Sequence, residues 1–340
     1  SASCARAGLK FGVYCSPWDR RERSYGDTPA YNTFFRAQLR ELLSNYGPIA
    51  EVWFDGACGE GPNGKRQEYD WDSYYALVRQ LQPKAAIAIC GPDVRWVGNE
   101  SGLARDDEWS VVAGPRGQGE RGVDFLEVDN GANDLGSRDN LAESEVSFWY
   151  PAECDVSIRP GWFYHASQDL QVKSLEHLLD IYYRSVGRNS VLLLNVPPDQ
   201  RGLFHENDVE RLNELRAVLD ATFDEDVARL AQGGGAAVDG AGDSHWSAQS
   251  DIDVLTLDLG AEKTVDRLLL QEAIEEGQRV ERFVLEGLHE GQWKEIIRGG
   301  CIGYKRLERF SRVTIRRVRL RIEASRAPAR LRRIGLFCAP

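Results

Sequence analysis

Two carboxylates in the sequence lie where short apolar runs give way to loops that contain glycine. Asp55 follows the run IAEVWF and precedes GACGEGPNG, and Glu100 lies in the loop GNESG. Each has a tryptophan shortly before it, Trp53 in the first case and Trp96 in the second. Hydrolysis of a glycosidic bond needs two carboxyl groups, one as nucleophile or base and one as acid. The pattern therefore indicates a carbohydrate site, although a lone aspartate at the end of a strand can also cap a helix or a turn.

A third segment, FWYPAECDVSIRPGWFYHA, has the same mixture of aromatic and charged side chains. Its candidates for contact with a sugar are Glu153, Asp155, Arg159 and Trp162. Charged residues inside a protein are usually paired, so structural ion pairs are the alternative role for the three charged residues. The sequence alone leaves both roles open.

The elements that must position these residues follow an alternating pattern from about residue 9 to about residue 220. The runs LKFGVYC (with a strand over Lys10–Tyr14), IAEVWFD, AAIAIC, GWFYH and SVLLLNV predict strands, and longer amphipathic segments between them predict helices. Apolar runs with few charges are typical of parallel strands covered on both faces, which predicts a (β/α) barrel or a doubly wound sheet. Active sites in such folds lie at the C-terminal ends of the strands, where Asp55 falls. No GxGxxG or Walker-type glycine motif follows a strand, so nucleotide binding has no support.

The pattern changes after the glycine-rich stretch LAQGGGAAVDGAGDS. Runs such as DVLTLDLG, RFVLEGL and TIRRVRLRI, separated by turn residues, predict an antiparallel β-sandwich of five or more short strands. The predicted organisation is a barrel domain over residues 1–225 and a sandwich domain over residues 226–340. We interpret the alternating arginines of TIRRVRLRI as the solvated face of a strand, with a basic binding site as the alternative.

Composition excludes several classes of function. The formal net charge of −11 disfavours nucleic acid as a partner, because phosphate binding needs a basic surface. No apolar stretch approaches the length of a membrane span, and the first residues lack the basic and apolar regions of a signal peptide. The seven cysteines show no CxxC pair and are expected to be free thiols, and the five histidines form no HxxxH pair, so no metal site is expected.

Five strings of the sequence resemble family 29 glycoside hydrolases, the retaining α-L-fucosidases. They are GLKFGVYCSPWDR, ELLSNYGPIAEVWFDGA, GPDVRWVGNESG, WYPAECDVSIRPGWFYH and NSVLLLNVPPDQRGL. The resemblance is greatest to the subgroup that acts on α-1,3/1,4-linked fucose, and the later part resembles the discoidin-like sandwich of that subgroup. It implies a (β/α)8-like TIM barrel in which Asp55 is the nucleophile, Glu100 is the acid/base, and Trp53 and Trp162 line the fucose. It also implies that fucosylated oligosaccharides or glycoconjugates are the substrates, that no cofactor is needed, and that the protein is secreted or periplasmic.

The sequence departs from the family in one respect. Members carry His-Trp near the end of the first barrel strand and His-His near the end of the second, whereas the first histidine here is His165. The first matching segment, LKFGVYCSPWD, corresponds to the third strand. We therefore expect the first two barrel strands to be missing, through a natural truncation or, as we favour, because the sequence is a fragment. Such a chain would have weak activity or none, and a non-catalytic carbohydrate-binding protein with a degenerate barrel is the alternative function.

Overall fold

The computed structural model describes residues 1–117, 124–240 and 242–340. In these ranges the α-helices are α1 (Ala2–Arg6), α2 (Thr28–Asn45), α3 (Trp71–Leu81), α4 (Arg138–Glu143), α5 (Leu175–Arg184) and α6 (Glu206–Phe223). The strands are β1 (Val13–Cys15), β2 (Glu51–Phe54), β3 (Ala86–Ile89), β4 (Arg95–Trp96), β5 (Val111–Gly114), β6 (Val146–Trp149), β7 (Ala152–Ser157), β8 (Val191–Asn195), β9 (Trp246–Ser247), β10 (Asp253–Glu272), β11 (Val280–His289), β12 (Gln292–Gly299), β13 (Arg306–Ser325) and β14 (Arg330–Phe337). Backbone proximity divides the chain into two compact units, residues 1–96 with 111–151 and residues 97–110 with 152–340.

The first unit contains a parallel sheet of β1, β2 and β3, with β2 in the centre. Helix α2 connects β1 to β2 and α3 connects β2 to β3, which is the strand–helix alternation that the sequence predicts. Aspartates cap both helices, since Asp27 accepts from the Ala30 amide and Asp70 accepts from the Ser73 amide. Apolar side chains from the sheet and both helices form one buried cluster, so the end of β2 is held by a packed core.

The second unit contains the parallel pair β7 and β8, with α5 connecting them and α6 following β8. Val156 of β7, Ile181 of α5 and Leu192 of β8 belong to one apolar cluster. The strand predicted over GWFYH is wrong. The strand in this region is β7, which ends at Ser157, and residues 161–165 form bends and irregular backbone. Pro160 has no amide hydrogen with which a ladder could resume, and the aromatic residues that follow it lie in a loop.

The same unit contains an antiparallel sheet in the order β12-β11-β13-β10-β14-β9. Two of its strands, β10 and β13, are each 20 residues long and carry register shifts, so they are longer than the short strands that the sequence predicts. Strand β10 pairs with β13 along both halves, and the second half of β10 also pairs with β14 on its other side. The second half of β13 also pairs with β11. Shifts of this kind bend a strand, which lets both halves contribute to one apolar core.

The α/β-plus-all-β class predicted from the sequence is therefore confirmed. Strand β1 begins later than predicted, at Val13 rather than Lys10. Within the described residues, no helix is both long enough and apolar enough to cross a lipid bilayer. All seven cysteines are free thiols. The compact units cut across the predicted domains 1–225 and 226–340, because residues 97–110 and 152–225 group with the sandwich, and that boundary stays a prediction.

Candidate active site

Asp55 lies immediately after β2, at the C-terminal end of the central strand of the parallel sheet. Its Oδ1 accepts a hydrogen bond from the Ala57 amide at 2.8 Å, and its Oδ2 accepts one from the Tyr14 hydroxyl at 2.5 Å. The carboxylate is half-buried, so a substrate can reach it. Two donors hold its orientation while each oxygen keeps a free lone pair, which is the arrangement that a nucleophilic carboxylate needs.

Tyr14 is a site residue that the sequence reasoning missed. It lies on β1 opposite Trp53 of β2, and the two rings stack with centroids 5.2 Å apart at an interplanar angle of 28°. Partial shielding of the Tyr14 hydroxyl from water, together with its hydrogen bond to Asp55 and the charge of that carboxylate, raises the pKa of the hydroxyl well above its ordinary value. The hydroxyl therefore stays protonated and donates to Asp55. Only the parallel register of β1 and β2 brings Tyr14 to this place, and a single sequence does not reveal that register.

The residue after the carboxylate must be small because of a thiol from the neighbouring strand end. Any Cβ at Gly56 would overlap the Sγ atom of Cys90, which follows β3. Burial, with a smaller contribution from the charge of Asp55, raises the pKa of the Cys90 thiol to about 12. Cys90 is thus a neutral packing group at neutral pH rather than a second nucleophile.

The glycine-rich loop that follows Asp55 is held by two tyrosines. The Tyr69 hydroxyl donates to the Ala57 carbonyl at 3.0 Å, and the Tyr25 hydroxyl donates to the Gly59 carbonyl at 3.1 Å. These bonds fix the backbone that follows the Ala57 amide. The loop therefore holds in place the amide that orients Asp55.

Glu100 lies on a tight loop of the second unit, and its side chain is exposed. Asn99 organises the loop, since its Nδ2 donates to the Leu103 carbonyl at 2.8 Å and its Oδ1 accepts from the Ser101 amide at 3.0 Å. Gly102 has a φ of 73°, and a Cβ there would lie 2.7 Å from Val156 Cγ1. Only glycine meets both conditions easily, so the loop has one well-defined shape.

The four residues of the third segment have different surroundings. Glu153 and Asp155 are buried on one face of β7, and Trp162 is 36% exposed in the loop that follows. Arg159 is 1% exposed; its Nε lies 3.0 Å from Asp208 Oδ2, and its Nη1 lies 2.9 Å from Asp169 Oδ1. These contacts correspond to the ion-pair alternative for Arg159, with partners that the sequence did not identify.

The structure thus brings three candidate groups together in the first unit: Asp55, Trp53 and the additional residue Tyr14. Trp96 is half-buried on β4 of the same unit. Glu100 and the third segment belong to the second unit. Across the described ranges, no three His, Cys, Asp or Glu side chains cluster in a way that could hold a metal ion.

Comparison with known proteins places the chain in a family. The model of the family described as alpha-L-fucosidase matches residues 1–222, and that of the F5/8 type C domain matches residues 225–333. The chain is 38% identical over 358 aligned positions to Alpha-L-fucosidase 1 of Arabidopsis thaliana, covering 99% of this chain and 67% of that protein.

Solved structures give the same result. A Bacteroides ovatus protein provisionally assigned as an α-L-fucosidase is 49% identical with a TM-score of 0.89, over 99% of this chain and 57% of its own. A Ruminococcus gnavus family 29 fucosidase, solved in complex with fucose, is 28% identical with a TM-score of 0.85, over 100% of this chain and 74% of its own. The chain thus spans between about half and three quarters of the length of these relatives. It belongs to the α-L-fucosidases of glycoside hydrolase family 29, with a TIM-barrel catalytic region followed by a discoidin-like domain.

Proposed function

We propose that the protein containing this chain is a retaining exo-α-L-fucosidase that removes terminal α-1,3/1,4-linked L-fucose from glycans. Family membership supports the substrate and the type of reaction. The observation that carries the proposal is the placement of Asp55, a half-buried carboxylate at a strand end whose two oxygens are oriented by Ala57 and Tyr14. A carboxylate held in this way is suited to attack a sugar carbon.

In the proposed first step, an Asp55 oxygen attacks the anomeric carbon of fucose. The bond from that carbon to the leaving oxygen breaks, and Glu100 transfers a proton to the leaving oxygen. In the second step Glu100 takes a proton from water, the water oxygen bonds to the anomeric carbon, and the bond to Asp55 breaks. Two inversions at one carbon give net retention of configuration.

The aromatic candidates supply apolar surface for the sugar. The Trp53 ring is held by its stack with Tyr14, so it can form a fixed wall beside Asp55. We assign Trp162 and Trp96 to contacts with fucose or the adjoining sugar because both are partly exposed. Glu153 and Asp155 remain candidates for such contacts. For Arg159, the ion pairs with Asp208 and Asp169 favour a structural role beside the loop that carries Trp162.

The stereochemistry of hydrolysis tests the proposal. An aryl α-L-fucoside is incubated with the protein that contains this chain, and the first sugar released is observed by proton NMR before it mutarotates. We expect the α anomer, and β-L-fucose as the first product would exclude retention. Asp55→Asn is the control, because it keeps the shape of the side chain but removes the nucleophile.

The linkage is tested with fucosylated oligosaccharides that differ only in the position of the fucose. Faster release from α-1,3 and α-1,4 linkages than from α-1,2 and α-1,6 linkages is expected. A protein that binds these glycans in calorimetry but releases no fucose from any of them would instead be a non-catalytic carbohydrate-binding protein.

A further inference from the structure

The segment that carries Glu100 is held by the discoidin-like sandwich. Residues 97–110 belong to the same compact unit as the sandwich. Immediately after the Glu100 loop, each of the five consecutive residues 106–110 contacts a sandwich residue, although 168 to 200 positions separate the partners of the four hydrogen-bonded contacts.

Three of the five contacts are made by Asp106, Asp107 and Trp109. The Arg306 Nη1 donates to the Asp106 carbonyl at 2.5 Å, and the Cys301 amide donates to Asp107 Oδ1 at 2.7 Å. Arg326 places its Cζ 3.5 Å from the centroid of the Trp109 ring, which is itself buried. The contacts combine charge-assisted hydrogen bonding with a cation–π interaction on the buried Trp109 ring.

Gln278 makes the other two contacts. Its Nε2 donates to the Glu108 carbonyl at 3.1 Å, and its Oε1 accepts from the Ser110 amide at 2.9 Å. Glu108 and Ser110 are buried as well, so removal of the glutamine would cost each backbone group a hydrogen bond that bulk water does not replace. The same Glu108 carbonyl also accepts from Asn189 Nδ2 at 2.9 Å.

Glu108 transmits this anchorage to the base of the Glu100 loop. Its fully buried carboxylate pairs with Arg105 Nη1 at 3.1 Å, and the same Nη1 donates to the Val97 carbonyl at 3.2 Å. Val97 precedes the loop and Arg105 follows it, so the pair joins the two ends of residues 98–104. The loop is closed internally by Asn99, and it therefore moves as one body when its base moves.

We propose that the sandwich positions the acid/base of the reaction, with Gln278 as a positioning residue that acts on Glu100 through Glu108 and Arg105. The inference rests on the proposed role of Glu100. A proton donor works only within hydrogen-bond reach of the leaving oxygen, and small displacements of a catalytic group cost large factors in rate. In this proposal the sandwich supports the reaction by holding the base of the Glu100 loop, without touching the substrate.

The test compares substrates that need protonation with substrates that do not. Gln278→Ala should lower kcat/KM roughly tenfold for a fucosyl disaccharide, whose leaving group needs a proton, and less than about twofold for a dinitrophenyl fucoside. Gln292→Ala is the matched control, since Gln292 is an exposed glutamine on β12 of the same sandwich. A loss of folded protein lowers kcat/KM equally for both substrates, so equal decreases would contradict the inference.

The same comparison in a Glu100→Gln background separates the inference from the proposed function. There the disaccharide rate should already be low, and adding Gln278→Ala should change it less than about twofold. If Glu100→Gln lowers kcat/KM equally for both substrates, the assignment of Glu100 as acid/base is wrong, and the inference fails with it. If Glu100→Gln is selective for the disaccharide but Gln278→Ala is not, only the inference fails.

Hydrogen exchange gives a second measurement that needs no substitution. In the unmodified protein, the protected amides of residues 104–110 should open together with those of the sandwich strands, with the same dependence on denaturant. Opening of this segment at much lower denaturant than the sandwich would overturn the proposal, even if Gln278→Ala cannot be purified.

Discussion

The hydrogen bond from Tyr14 to Asp55 allows a quantitative prediction for Tyr14→Phe. The substitution removes only the hydroxyl, which donates to Asp55 Oδ2 at 2.5 Å, and keeps the ring that stacks on Trp53 at 5.2 Å. Asp55 keeps its second donor, the Ala57 amide. The expected effect is therefore loss of orientation at one carboxylate oxygen, without loss of the fold.

The magnitude follows from the type of bond and its exposure. A hydrogen bond to a charged group contributes about 1.5–3 kcal/mol. Tyr14 is 60% exposed, so water can partly replace its hydroxyl, and we take the lower end of that range. About 1.5 kcal/mol of transition-state stabilisation corresponds to roughly a tenfold decrease in rate.

The assay is kcat/KM for an activated aryl α-L-fucoside, which reports formation of the covalent intermediate. Tyr46→Phe is the matched control, because Tyr46 is a partly exposed tyrosine at the end of α2. Tyr14→Phe should lose about tenfold while its melting temperature stays within about 2 °C of the unsubstituted protein. An unchanged kcat/KM would refute the orienting role, and a large fall in melting temperature would show that the hydroxyl mainly supports the fold.

Three further predictions concern other parts of the chain. Burial raises the pKa of Glu272 from 4.5 to about 7, so its contribution to stability is present below about pH 4.5 and is lost as the pH rises through about 7. In urea titrations, the free energy of unfolding of Glu272→Gln should therefore rise by about 3 kcal/mol relative to that of the unsubstituted protein between pH 4.5 and pH 7.5. A difference that stays constant over this range would contradict the prediction. Gly56→Ala should lower the free energy of unfolding by about 1–3 kcal/mol, because its Cβ overlaps Cys90 Sγ. Adding Cys90→Ala should restore most of this loss in thermal melts, and no recovery would show that the clash lies elsewhere. Glu100→Ala should spare activated aryl fucosides more than natural glycans, and azide should speed turnover with formation of α-fucosyl azide; equal losses with no azide effect would indicate a binding or folding role.

The features that the sequence predicted correctly depend on local patterns. The apolar run before Asp55 ends at a polar residue and a glycine, so the end of β2 could be located from the sequence. Helices α2 and α3 were predictable because amphipathic periodicity and capping aspartates are encoded within one segment. The change to an antiparallel sandwich was likewise visible in short runs separated by turns.

The features that the sequence did not predict depend on pairs distant in the chain. Tyr14 meets Asp55 across 41 positions, and Arg159 meets Asp208 across 49. The length of β10 depends on how register shifts bend it against β13, which no local pattern encodes. The anchorage of Glu108 by Gln278 spans 170 positions, so from the sequence the Glu100 loop looked like an isolated turn.

In the proposed mechanism, Asp55 forms the covalent intermediate. The most direct measurement uses a 2-fluoro-α-L-fucosyl fluoride, in which the fluorine at C2 slows turnover so that the intermediate accumulates. After digestion, mass spectrometry identifies the labelled peptide. We expect one fluorofucosyl group on the peptide that contains Asp55, and none after Asp55→Asn. A label on another carboxylate, such as Glu153, or hydrolysis without any covalent adduct would contradict it.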